Sequence, residues 1–135
     1  MNASSLIQQN YSELIQAVAD AKPSLADVER CAQLITDVLE AGGKVLTAGN
    51  GGSAADALHL SEELVGRYKN NRRALPAIAL AADGSALTCI GNDFGFDQIF
   101  ARQVEALGAP GDVLVLFTSS GNSQNLILAV EMAKS

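Results

Sequence analysis

Lys44-Val45-Leu46-Thr47-Ala48-Gly49-Asn50-Gly51-Gly52-Ser53-Ala54 is the stretch on which the fold turns. Val45-Leu46-Thr47-Ala48, three apolar residues and a β-branched threonine, read as a short buried strand, and glycines follow at once. From Ala54 to about Val65 the apolar residues recur at helical spacing, so a strand passes through a tight turn into a helix. Working outward, Ala77 to Ala82 reads as a second strand and Asp112 to Thr118 as a third, entered through the turn Pro110-Gly111. Between them lie a short helix around Ser85 to Ile90 and a longer one over Asp97 to Leu107; Asn125 to Lys134 closes the sequence as a helix. Strands alternating with helices predict an α/β unit, a doubly wound parallel sheet with three strands present. Sheets of this kind usually carry five or more strands, so the reading expects a partial chain.

Upstream, Leu6, Ile7, Tyr11, Leu14, Ile15 and Val18 form one helical stripe, broken at Lys22-Pro23. Ser24 opens a second helix with Asp27 as its capping-box partner, and Gly42-Gly43 end it. This N-terminal helical pair, residues 1–42, precedes the core at 43–135; its stripe faces either another subunit or the domain itself.

The 135 residues suit one domain, and 48% apolar content with only 4% aromatic residues argues for close-packed aliphatic layers rather than disorder. No apolar run reaches the ~18 residues of a membrane span, and Met1 to Gln9 lacks the pattern of a secretion signal. A soluble cytoplasmic protein is expected. A formal charge of −6 disfavours nucleic acid and leaves room for a small phosphorylated ligand in one local pocket. Cys31 and Cys89 have no metal-type spacing and read as buried free thiols.

Two loops stand where strand carboxyl ends meet helices, the usual ligand end of an open α/β sheet. Gly49 to Ala54 matches G-x-G-x-x-A in form, but no acidic residue occurs between Leu64 and Ala82, where a dinucleotide fold wants one. What remains is an anion seat of bare backbone amides at Gly51 and Gly52, with Asn50 and Ser53 adding donors. The second loop crowds the four hydroxyls of Thr118, Ser119, Ser120 and Ser123 around Gly121. It is either a phosphate cradle or a cap-rich surface loop. His59 and Glu63 stand four apart on one helix face, shared with Asp56. They form a solvent-facing pair, or a metal or acid–base site. Arg67, Lys69, Arg72 and Arg73 make a solvated loop, unless Arg67 reaches the anion. Asn92-Asp93-Phe94-Gly95 has turn chemistry and a carboxylate suited to sugar hydroxyls.

In register along the chain, Ala48 to His59, Glu62-Glu63, Leu75 to Leu80, Gly91 to Phe96 and Ser119 to Ser123 resemble bacterial phosphoheptose isomerases. The resemblance covers essentially the whole chain; it departs at Arg73-Ala74, where proline often follows the arginine, and at Thr118, which replaces a serine. It implies a sugar isomerase (SIS) fold of flavodoxin-like type, five parallel strands in full. It further implies a cytoplasmic homotetramer converting sedoheptulose 7-phosphate to glycero-manno-heptose 7-phosphate for lipopolysaccharide or other surface glycans. On these positions Thr118, Ser119, Ser120 and Ser123 hold the phosphate with Asn50 and Ser53, and Asp93 holds sugar hydroxyls. Glu63 is the base that moves a proton between C1 and C2 through an enediol. His59 and Glu63 match zinc positions of some members, whose C-terminal helix brings a Gln and a catalytic His beyond these residues. A non-catalytic SIS relative, such as the one that binds the bacterial replication initiator, lacks the glutamate of position 63; a sugar-phosphate sensor needs only the hydroxyl loop.

Overall fold

The computed structural model describes residues 2–135, which divide into two compact units, one ending at Leu34 and the other spanning Ile35–Ser135. In the first unit, α1 (Ala3–Asp20) starts where the Asn2 side chain accepts the Ser5 amide at 2.8 Å. Pro23, which has no N–H to continue a helix, sits in a single 3₁₀ turn, Lys22–Ser24. Helix α2 (Leu25–Glu40) begins there and runs on into the second unit. Ser24 therefore belongs to the 3₁₀ turn, and the Asp27 carboxylate is taken by Arg30 rather than by a capping box. The stripe Leu6, Ile7, Tyr11, Leu14, Ile15 and Val18 is exposed throughout.

In the second unit, β1 (Val45–Gly49), β2 (Ala77–Ala79) and β3 (Val113–Phe117) form a parallel sheet in the order β2-β1-β3. Val45 stands opposite Ala77 on one side and Val113 on the other; Gly49 ends opposite Phe117. Every residue of the central strand β1 is buried, which its apolar run requires. Successive side chains of β1 serve opposite faces. Leu46 and Ala48 join the core with Leu80, Ile99, Phe100, Val104, Leu126 and Ala129. Leu80 follows β2 directly, and the others come from the segment before and within α5 (Ala101–Leu107) and from α6 (Gln124–Ala133). Thr47 faces α3 (Gly52–Val65), its hydroxyl donating to the Ala57 carbonyl at 2.8 Å and sharing a 2.8 Å bond with Ser61.

The region between β2 and α5 departs from expectation. β2 is only three residues long. Helix α4 (Gly84–Phe94) runs straight through Asn92 and Asp93, and its turn falls at Gly95 with φ 90°. Residues 96–98 form a 3₁₀ turn, which leaves α5 shorter than the apolar pattern indicates. The buried Gln103 donates to the Leu80 carbonyl at 2.9 Å and the Ile99 carbonyl at 2.7 Å, which ties α5 to the residue after β2. Cys31 and Cys89 are free and exposed, against the expectation of burial, because each sits on a helix side that no core residue covers. Among the described residues no helix is long and apolar enough to cross a membrane.

Candidate functional site

In the order β2-β1-β3 the chain leaves β1 toward one neighbour and later returns to its other side, so the topology reverses between β1 and β3. A crevice opens at the carboxyl ends of the strands at such a point. Both polar loops of the sequence rise from it, residues 50–51 from β1 and 118–123 from β3.

The first loop is made by two glycines with different tasks. Gly49 is where α3 comes down on the strand: a Cβ there would lie 2.4 Å from the Ser53 carbonyl oxygen. Gly51 has φ 56° and ψ −121°, a backbone that side-chain-bearing residues avoid. The Asn50 carbonyl accepts the Ser53 amide at 3.0 Å, so the helix opens within two residues of the strand. The first amides of a helix have no partner within it, and here they flank Asn50 and Ser53 at the positive end of the helix dipole. Asn50 and Ser53 are half-buried.

In the second loop the hydroxyls divide. Thr118 accepts the Gly121 amide at 3.1 Å and Ser120 takes a long 3.5 Å contact from the Asn122 amide, which shape the turn at Gly121, φ 68°. Ser123 occupies the N-cap position of α6, yet its side chain makes no capping bond. Neither its hydroxyl nor that of Ser119 has a partner among the described hydrogen bonds. A reciprocal pair of 2.9 Å bonds between the carboxamides of Asn50 and Asn125 ties the two loops together.

Beside the loops lies a groove of about 490 Å³, walled by Asp56, His59, Leu60, Glu63 and Leu64 of α3, by Tyr68 and Arg72, and by Phe117 at the end of β3. Phe117 leads directly into Thr118, so the groove continues the crevice. His59 Nε2 lies 3.5 Å from Glu63 Oε1 and 3.7 Å from Glu62 Oε1. His59 is 69% exposed and Glu63 32%, which leaves the carboxylate half sheltered against the groove. One ligand atom from each of His59, Glu62 and Glu63 falls within 4.8 Å of the others. Imidazole nitrogen and carboxylate oxygen are zinc donors, and this set fits one ion that takes its remaining donors elsewhere.

Not every sequence candidate arrives. Asp93 is in the last turn of α4, exposed, with Asn92 donating to it at 2.8 Å, and is not a wall of the groove. Arg67 is exposed and also outside those walls; the cation that lines them is Arg72. The Arg72 guanidinium is spent on the backbone: it donates to the Leu64 and Arg73 carbonyls at 2.9 Å, to that of Gly66 at 3.4 Å, and to that of Glu63. It latches the C-terminal end of α3, and with it Glu63, to the following loop. Glu62 carries a readable signal, three residues from His59; nothing in the spacing singles out Arg72 or Asn125.

Residues 8–135 match the SIS domain family. A phosphoheptose isomerase of Akkermansia muciniphila is 52% identical over 124 residues, 89% of this chain and 66% of that protein. The structure of phosphoheptose isomerase GmhA from Neisseria gonorrhoeae superposes with a TM-score of 0.92 at 43% identity, over 98% of this chain and 70% of that one. A phosphoheptose isomerase from Francisella tularensis also gives 0.92, at 40% identity, over 99% of this chain and 71% of its own. The chain spans 56% to 66% of the length of the curated relatives it matches.

Proposed function

The chain belongs to the SIS domain family, and within it to the phosphoheptose isomerases; on that premise we propose that the protein isomerises sedoheptulose 7-phosphate to D-glycero-D-manno-heptose 7-phosphate, a precursor of lipopolysaccharide heptose. The observation that carries the proposal is the half-sheltered Glu63 in a groove that continues, through Phe117, into a crevice rimmed by free hydroxyls and helix-end amides.

In this reading Ser119, Ser120, Ser123 and Thr118 receive the phosphate from one side, and Asn50, Ser53 and the amides of Gly51 and Gly52 from the other. Arg67 and Asp93 lie outside the walls of the groove, so in this reading Arg67 would act by long-range attraction and Asp93 would meet only sugar hydroxyls that extend past those walls. With the phosphate fixed, the carbonyl end of the sugar lies along α3. The Glu63 carboxylate takes a proton from C1, leaving an enediol, and returns it to C2; the hydroxyl proton moves from O1 to O2, so product and substrate are isomers. A base of this kind contributes roughly 10²- to 10⁴-fold. His59 and Glu63, with Glu62 in reach, would hold a zinc ion, which supplies positive charge where the substrate oxygens turn anionic. The remaining ligands, and the group that serves those oxygens as acid, would come from a C-terminal helix of the kind the family resemblance implies.

The same reading makes the protein a cytoplasmic homotetramer. The exposed stripe of α1, with Leu25, Val28 and Leu34, is the sort of apolar surface that another subunit covers.

Glu63→Gln tests the proposal. Conversion of sedoheptulose 7-phosphate, followed by NMR in D₂O with zinc present, should fall roughly 10²- to 10⁴-fold, with deuterium uptake at C1 lost in step. Binding of the sugar phosphate should persist. Undiminished conversion by the variant would exclude Glu63 as the base. Full conversion loss with binding also lost would make Glu63 a binding group instead.

A further inference from the structure

Four polar side chains are buried among the described residues, and three of them serve the fold alone. Thr47 and Ser61 bond to each other beneath α3, and Gln103 bonds two backbone carbonyls. Asn125 differs. It is 2% exposed, the second residue of α6, between Gln124 and the core residue Leu126. An apolar residue is the usual occupant of such a position, since burying a carboxamide is costly unless its groups are bonded. Its described bonds run to one place: the carboxamide of Asn50, 75 residues away, donating and accepting at 2.9 Å.

We propose that Asn125 is a positioning residue for the anion site: through its buried amide it fixes the Asn50 side chain and holds the glycine loop at a set distance from the hydroxyl loop. The proposal rests on the reading that this crevice takes the phosphate of a sugar phosphate. A carboxamide has two N–H donors and two acceptor positions. The pairing engages one donor and one acceptor of Asn50, so its second N–H remains for the ligand, with a direction that Asn125 dictates. Without Asn125 that side chain gains rotamers, and an anion must order it again on binding. Asn125 itself touches no ligand, being sealed beneath the loops.

The test is a double-mutant cycle read by dissociation constants for inorganic phosphate and for sedoheptulose 7-phosphate, with thermal melts in parallel. Asn125→Ala and Asn50→Ala should each weaken binding about 5- to 30-fold, the scale of one or two hydrogen bonds. The double variant should bind no more weakly than Asn50→Ala, because Asn125 acts only through Asn50. Multiplying effects in the double variant, or wild-type affinity in Asn125→Ala, would overturn the proposal while leaving the sugar-phosphate reading intact. Failure of the wild type to bind either probe would overturn both. If Asn125→Ala does not fold, the wild type still decides. One Asn50 carboxamide proton should exchange with solvent far more slowly than those of exposed Gln8; equal exchange would mean that no such bond holds it.

Discussion

The two ends of β1 and β3 carry polar groups of similar kind and treat them in opposite ways. At the amino end, the Asp112 carboxylate accepts the Lys44 amide at 2.9 Å, the Ala109 amide at 2.8 Å and the Lys44 ammonium, so both of its oxygens are bonded within the protein. Burial pushes the Asp112 carboxyl up, but the Lys44 and Ala109 bonds outweigh it and hold it below the usual carboxylate value. At the carboxyl end one buried tie, Asn50 to Asn125, is closed in the same manner, while Ser123 sits at a cap position without capping. Polar groups at the amino end are satisfied within the sheet. Under the proposed function, the hydroxyls at the carboxyl end bond water until a ligand takes its place.

Substitutions can break this contrast, beginning with the largest effect. Gly49→Ala should strike both roles at once. Its Cβ meets the backbone of Ser53 and Ala54 rather than a yielding side chain, so the first turn of α3 must move. A loss of about 3 kcal/mol is expected, the upper range for overpacking, together with loss of phosphate binding. Denaturant melts and phosphate titration check it; a stable variant that binds normally would show the close approach to be dispensable.

Asp112→Asn should separate the roles. Its side chain is 10% exposed and that of Lys44 25%, so about 2 kcal/mol of stability should be lost at pH 7, less than for a fully buried pair. Sugar-phosphate affinity should not change. Because the folded Asp112 carboxyl titrates below its unfolded value of about 3.9, its contribution is present above that pH and disappears as pH falls through the lowered folded value. Acid unfolding of the variant should therefore be shallower than that of the wild type below about pH 4.

The smallest effects form a matched pair at helix starts. Asp83 caps α4, accepting the Ser85 amide at 2.9 Å and the Ala86 amide at 3.1 Å. Asp83→Ala should cost about 1 kcal/mol of stability and leave phosphate affinity alone. Ser123→Ala should do the reverse, with no shift of the melt and a phosphate dissociation constant raised about 5-fold. A destabilised Ser123→Ala with unchanged affinity would return that loop to ordinary capping.

How far the sequence carries can be traced through the same residues. The run Lys44 to Ala54 was sufficient for the strand, the turn and the helix, because burial on both faces and the glycines leave few alternatives. The hydroxyl loop and the His59–Glu63 pair were legible as local chemistry, a spacing of four on one helix face being a short-range fact. Asp83 lies near the place where a nucleotide-binding acid is sought, and the structure gives it a cap instead. The Asn92–Asp93 pair reads as a turn because both residues favour one; α4 continues through them and turns at Gly95. Arg72 and Asn125 were invisible for a different reason. Their partners are backbone carbonyls or a residue 75 positions away, and no periodicity encodes either.

The most direct test is a map of backbone and side-chain amide shifts on addition of sedoheptulose 7-phosphate to the isotope-labelled protein. The expected result is a set of shifts concentrated at Asn50 to Ser53 and Ser119 to Ser123, extending along α3 to His59 and Glu63, with Lys44 and Asp112 silent. Shifts centred on the Lys44–Asp112 end, or spread evenly over both ends of the sheet, would contradict it.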